Sequence, residues 1–174
     1  LGLQMAAAAV ADLVEFFRTG VEAHPIHHLS VPIAVSAHSH GEIVQLRVAQ
    51  RSVGALPFGP DLIDSPFQRW GSEFAHAVDD ARQASRLRAA VRLNVLSSRT
   101  GLPLDAIDGR SVGLGAAVAF RRISDRNRAA PDPSWVFTGD VRADGKVSSL
   151  APDRRPGGYV EKISAAAGRT LVMP

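Results

Sequence analysis

A chain of 174 residues with 45% hydrophobic and 21% charged residues can form one domain with a sizeable core, and its composition is that of an ordinary globular protein. The absence of cysteine excludes disulfides and thiolate chemistry, and no uncharged apolar stretch reaches the roughly 18 residues that a membrane helix needs. The formal net charge is +3, from 20 basic and 17 acidic residues; the arginines are scattered along the whole chain, so charge gives only weak support to nucleic-acid binding, and no nucleic-acid partner is expected.

In chain order, residues 3–19 have a helical apolar stripe through Leu3, Ala6, Val10, Leu13, Val14 and Phe17, closed by Gly20. Asp12 and Glu15 interrupt this stretch, so an amphipathic helix is expected here and not a signal peptide. Strands are expected at Ile33 to Ala37 and Glu42 to Ala49, with a turn at Ser39 to Gly41. The histidines His24, His27, His28, His38 and His40 match no strong zinc spacing, and no metal site is expected. A Gly- and Pro-containing loop covers 51–64. Ser65 and Pro66 then open a helix to about Arg88, with Phe74, Val78, Ala81 and Ser85 inward. Ala90 to Leu96 reads as a buried strand, and a loop delivers the chain to Ser111.

From Ser111 the small, apolar run SVGLGAAVAF reads as a helix ended by Arg121 and Arg122, where cations suit the helix dipole. Gly113 and Gly115 weaken that helix, which implies that something approaches its backbone closely. After a polar loop at 124–134, strand is expected at Trp135 to Thr138 and Val141 to Ala143, then a hairpin turn at Asp144-Gly145 and strand from Lys146 to Leu150. A short helix from Tyr159 to Ala167 and a strand from Arg169 to Met173 complete the pattern. The fold class is therefore α/β (α+β), with helices packed on a mixed sheet. Residues 1–35 form an N-terminal helix and connector, and 36–174 form the main domain.

Two stretches carry chemistry. DGRSVGLG, Asp108 to Gly115, sets a serine at the sharp entry to a helix, and GGYVEKISAAAG, Gly157 to Gly168, sets a lysine in the first turns of another. Among the 20 basic residues only Lys146 and Lys162 are lysines. Arginine stays charged in any protein site, whereas a partly buried lysine can lose its proton and act as a base. Lys146 sits in the Asp144-Gly145 turn and reads as a solvated hairpin residue. Ser111 and Lys162 read together as a hydrolytic Ser–Lys pair, with the lysine at the edge of a stripe formed by Tyr159, Ile163 and Ala166. Backbone N–H groups of Val112 and Gly113 are the candidate oxyanion donors. Gly139 to Lys146 fits GxxxxGK, but Val147 follows where a phosphate loop needs Ser or Thr, and Gly113-x-Gly115 lacks the third glycine of a dinucleotide site. No cofactor is expected in this segment.

With these motifs in order, the chain resembles the proteolytic domain of the Lon family of Ser–Lys peptidases over about residues 40–174. Asp108-Gly109-Arg110-Ser111-Val112-Gly113 is similar to that family's D-G-P-S-A-G nucleophile segment. Phe137-Thr138-Gly139-Asp140-Val141 is similar to its M-T-G-E-I strand, and Gly157-Gly158-Tyr159-Val160-Glu161-Lys162 to its G-G-x-x-x-K. The resemblance implies a serine endopeptidase with Ser111 as nucleophile, Lys162 as general base and Thr138 orienting the lysine. It also implies a polypeptide substrate, an ATPase or sensor domain elsewhere in a longer protein, a homo-oligomer when intact, and a domain that continues past Pro174. A cytoplasmic location is the default expectation. Arg110 in place of proline, Val112 in place of alanine and extra residues at Ser148 to Pro156 are departures from the family pattern. They leave open a catalytically silent Lon-like module used for assembly or ligand binding.

Overall fold

The computed structural model describes residues 27–37, 40–50, 62–63, 69–88, 91–125, 131–148 and 158–174. The N-terminal helix, His24, His38, the Ser65-Pro66 helix start and nearly all of the 148–156 insertion lie outside the described residues.

Two long strands, β1 (His27–Ala37) and β2 (His40–Gln50), pair antiparallel along their whole length, from His27 opposite Gln50 to Ala37 opposite His40. The first strand therefore begins before the expected Ile33, because each residue of the HPIHHL stretch from His27 onward finds a partner across the ladder. On the far side of β2 lies β5 (Val91–Ser97), antiparallel to it, and beyond that the short β3 (Leu62–Ile63). On the other side of β1 come β7 (Trp135–Phe137) and β10 (Thr170–Val172), both parallel to it. The six-stranded sheet thus has the order β10-β7-β1-β2-β5-β3. The fold is mixed, with helices on a mixed sheet.

Strand alternation separates the two faces. Val31 and Ile33 of β1, Val44, Leu46 and Val48 of β2, Val91, Leu93 and Val95 of β5, and Phe137 of β7 belong to the main core. This face is covered by helices α1 (Ser72–Ala84) and α2 (Gly113–Ser124), which bury Phe74, Ala77, Val78, Ala81 and Ala116, Ala119, Phe120, Ile123 respectively. The opposite face carries Ala34 and Val136, which pack with Ala166 just past the third helix, α3 (Tyr159–Ala165). Two small two-stranded sheets complete the described structure. β4 (Arg69–Trp70) pairs with β6 (Ala106–Ile107), and β8 (Asp140–Val141) with β9 (Val147–Ser148).

Helix α1 is shorter than its pattern suggests at both ends. Arg69–Trp70 is taken into the pairing with β6, so the helix starts at Ser72 and not near Ser65. At its other end Arg86 adopts φ 52°, and Leu87 N–H bonds to Arg82 O at 3.1 Å, closing the helix before Arg88. Among the described residues no helix is long and apolar enough to cross a membrane, and no group of His, Asp and Glu could hold a metal ion.

Candidate active site

Because β1, β7 and β10 run parallel, their C-terminal ends share one edge of the sheet, the edge where open α/β sheets present their ligand crevices. The chain leaving β7 there is Thr138-Gly139. Thr138 N–H donates to Val172 O of β10 at 3.0 Å, which ties this turn to the neighbouring strand.

The serine segment docks on that turn. Residues Arg110–Val112 form a single 3-10 turn leading into α2, so Ser111 lies on the tight entry to the helix and not inside it. Gly139 N–H donates to Ser111 O at 3.1 Å, and Leu114 N–H donates to Gly139 O at 2.9 Å. These two bonds are possible because α2 approaches closely. A Cβ on Gly113 would lie 3.0 Å from Val141 N, and one on Gly115 would lie 2.9 Å from Ile33 Cδ1. The helix-weakening glycines are thus explained by close approach of the sheet.

The lysine arrives from the opposite face. Helix α3 rests on the β1–β2 hairpin so tightly that a Cβ on Gly41 would lie 2.0 Å from Glu161 O. Ser36 Oγ donates to Gly158 O at 3.4 Å, just before the helix begins. This seating turns Lys162 and Ala166 inward, at 6% and 3% exposure, and Ile163 outward at 54%. Of the expected stripe Tyr159, Ile163 and Ala166, the first is partly buried and the last buried, Ile163 faces out, and the lysine lies in the buried row itself.

Ser111 and Lys162 meet at the sheet edge: Lys162 Nζ lies 2.9 Å from Ser111 Oγ, a hydrogen bond between residues 51 apart in sequence. Thr138 is fully buried, yet its Oγ1 makes no hydrogen bond within the described structure. The lysine-orienting bond expected of Thr138 is thus not made here; its hydroxyl is a buried group without a partner. Of the two candidate oxyanion donors, Gly113 N–H is already committed to Arg110 O, which leaves Val112 N–H at the helix entry. Lys146 is exposed and pairs with Asp144 at 3.3 Å, as a hairpin residue should.

Sequence reasoning missed the charged group beside the serine. Arg110 Nε donates to Asp140 Oδ2 at 2.8 Å, and its Nη2 contacts Asp80 Oδ2 of α1. Asp140 is largely buried and also accepts weakly from Ser148 Oγ, at 3.4 Å. The Asp140 hydrogen bond is the largest influence raising the Arg110 pKa; partial burial opposes it, and Asp80 adds to the rise. Arg110 is therefore a permanent cation. Its replacement of an expected proline was visible in the sequence, but its acidic partners lie 30 residues away on either side.

No known protein-family model matches the chain, and no curated protein matches it at a significant level. The geometry of the site consequently carries the functional reading.

Proposed function

We propose that this chain is a serine peptidase of the Ser–Lys type, with a fold of the Lon proteolytic kind, acting on polypeptide substrates within a larger protein. The observation that carries the reading is the 2.9 Å contact between Ser111 Oγ and Lys162 Nζ, made by the one lysine among the described residues that is buried. Burial penalises a charged ammonium, which favours the neutral amine that a general base requires.

In this mechanism Ser111 Oγ attacks the scissile carbonyl carbon while its proton passes to Lys162 Nζ. Charge develops on the carbonyl oxygen, where Val112 N–H at the entry to α2 is the candidate donor. The C–N bond then breaks, Lys162 returns the proton to the leaving amine, and the acyl group stays on Ser111. Water attacks that ester and gives a proton to Lys162; the ester C–O bond then breaks, Lys162 returns the proton to Ser111 Oγ, and the acid product departs. An open groove of about 900 Å³ runs along α2 between Leu114 and Arg122, and neither Ser111 nor Lys162 lines it.

The test is covalent labelling by a fluorophosphonate, together with peptide hydrolysis, in the parent protein, Ser111→Ala and Lys162→Arg. Arginine keeps the charge and approximate length but cannot become neutral. Lys162→Arg should fold and lose labelling as completely as Ser111→Ala, and parental labelling should rise from neutral to alkaline pH. Undiminished labelling of folded Lys162→Arg would remove the dyad and leave a catalytically silent module as the reading.

A further inference from the structure

The serine turn is secured unequally on its two sides. Downstream of Ser111, the backbone bonds Gly139 N–H to Ser111 O and Leu114 N–H to Gly139 O lock the chain onto the end of β7. Upstream lies Gly109, at φ 94° with open space around its Cα, a residue whose backbone is least able to hold a direction by itself. The nearest upstream anchor of the main chain is Asp108, whose Oδ1 accepts from Phe74 N–H at 3.2 Å at the start of α1. Between that anchor and the nucleophile stands Arg110, bonded at once to Asp80 near the middle of α1 and to Asp140 at the start of β8.

We propose that Arg110 is a positioning residue, a side-chain strut that spans from α1 to β8 and holds the 3-10 turn so that Ser111 Oγ stays within reach of Lys162 Nζ. This rests on the peptidase reading of the same site. The guanidinium suits the role because its planar fork engages two carboxylates in fixed directions, which a lysine ammonium cannot reproduce. The two acceptors belong to elements packed on either side of the turn: α1 on the main-core face, which also holds Asp108 through Phe74 N–H, and the β8–β9 hairpin at the sheet edge. Arg110 does not touch the reacting atoms in this arrangement. It acts through the direction of the Ser111 Cα–Cβ bond, where a displacement on the order of 1 Å can cost about a hundredfold in rate.

The experiment follows fluorophosphonate labelling at increasing probe concentration, which separates the maximal labelling rate from the half-saturating concentration. Arg110→Ala should lower the maximal rate by about tenfold to a hundredfold while half-saturation changes little. Arg110→Lys should recover only part of that loss, because it restores charge without the fork. Asp80→Asn, a change on α1 well outside the serine turn, weakens one arm of the strut and should give a smaller fall in the same direction. Ser111→Ala defines zero. If the parent labels no better than Ser111→Ala, the peptidase reading has failed, and the strut with it. If the parent labels and Arg110→Ala or Asp80→Asn keeps the parental maximal rate, the strut alone is overturned. Should Arg110→Ala not fold, Asp80→Asn decides: an unchanged maximal rate sinks the proposal, and a reduced one with unchanged half-saturation sustains it.

Discussion

The two helices that supply the candidate dyad are held in very different ways. Helix α2, behind Ser111, buries Ala116, Ala119, Phe120 and Ile123 in the main core and is backed by α1 along its flank. Helix α3, which carries Lys162, has seven residues, and its contribution to the smaller core is Ala166 at its C-terminal cap against Ala34 and Val136. Its outer residues Val160 and Ile163 are 76% and 54% exposed. Ser111 is thus backed by the main core, whereas the described contacts of α3 include the close backbone approach at Gly41, the Ser36–Gly158 hydrogen bond and small side chains. Damage to the first should appear as lost folding, and damage to the second as lost geometry in a folded protein.

Three substitutions would break or sharpen that contrast. The largest effect is expected from Phe120→Ala, which empties a fully buried position of α2 and should cost about 3–5 kcal/mol, read from denaturant unfolding. Any loss of labelling should then track loss of folded protein. Gly41→Ala comes next. Its new Cβ has nowhere to go but against Glu161 O, so α3 must shift, at a cost of roughly 1–3 kcal/mol. Labelling of the folded fraction should fall at least tenfold, since movement of about 1 Å suffices to do so. Parental labelling in a folded Gly41→Ala protein would show that α3 is not seated by this contact. The smallest effect belongs to Val160→Ser on the outer face of α3, which should alter unfolding by no more than about 0.5 kcal/mol and leave labelling intact.

The sequence made some of this legible and hid the rest for identifiable reasons. The serine on a sharp helix entry was readable from Asp108 to Gly115, because glycines on either side of Ser111 announce a tight turn and a close neighbour. Lys162 stood out because arginine fills nearly every other basic position. The long antiparallel pair and the Asp144-Gly145 hairpin followed from alternation and turn chemistry. The start of α1 was misread because a local Ser-Pro signal competes with the pairing of Trp70 to Ile107, a contact that no window around residue 65 contains. Ile163 was wrongly expected inward because a seven-residue helix has too few apolar positions to fix its phase. That phase is fixed instead by Gly41, on a different element. The Arg110 strut was hidden for the same reason: its acidic partners are recognisable only once α1 and β8 have been brought together.

The parallel pairing of β1 with β7, which places Ile33 opposite Phe137, also bears on how the site comes into being. A hairpin such as β1–β2 closes a short loop and can form early, whereas joining residue 33 to residue 137 closes most of the described chain and carries a correspondingly larger loop-closure entropy. The turn at Thr138-Gly139, which receives the serine segment, follows directly on that long-range pairing. During synthesis Ser111 emerges from the ribosome before both β7 and Lys162, so a nascent chain holds the serine before its lysine partner exists. The order of the sequence thus separates Ser111 from Lys162 until the later strands and α3 have been made.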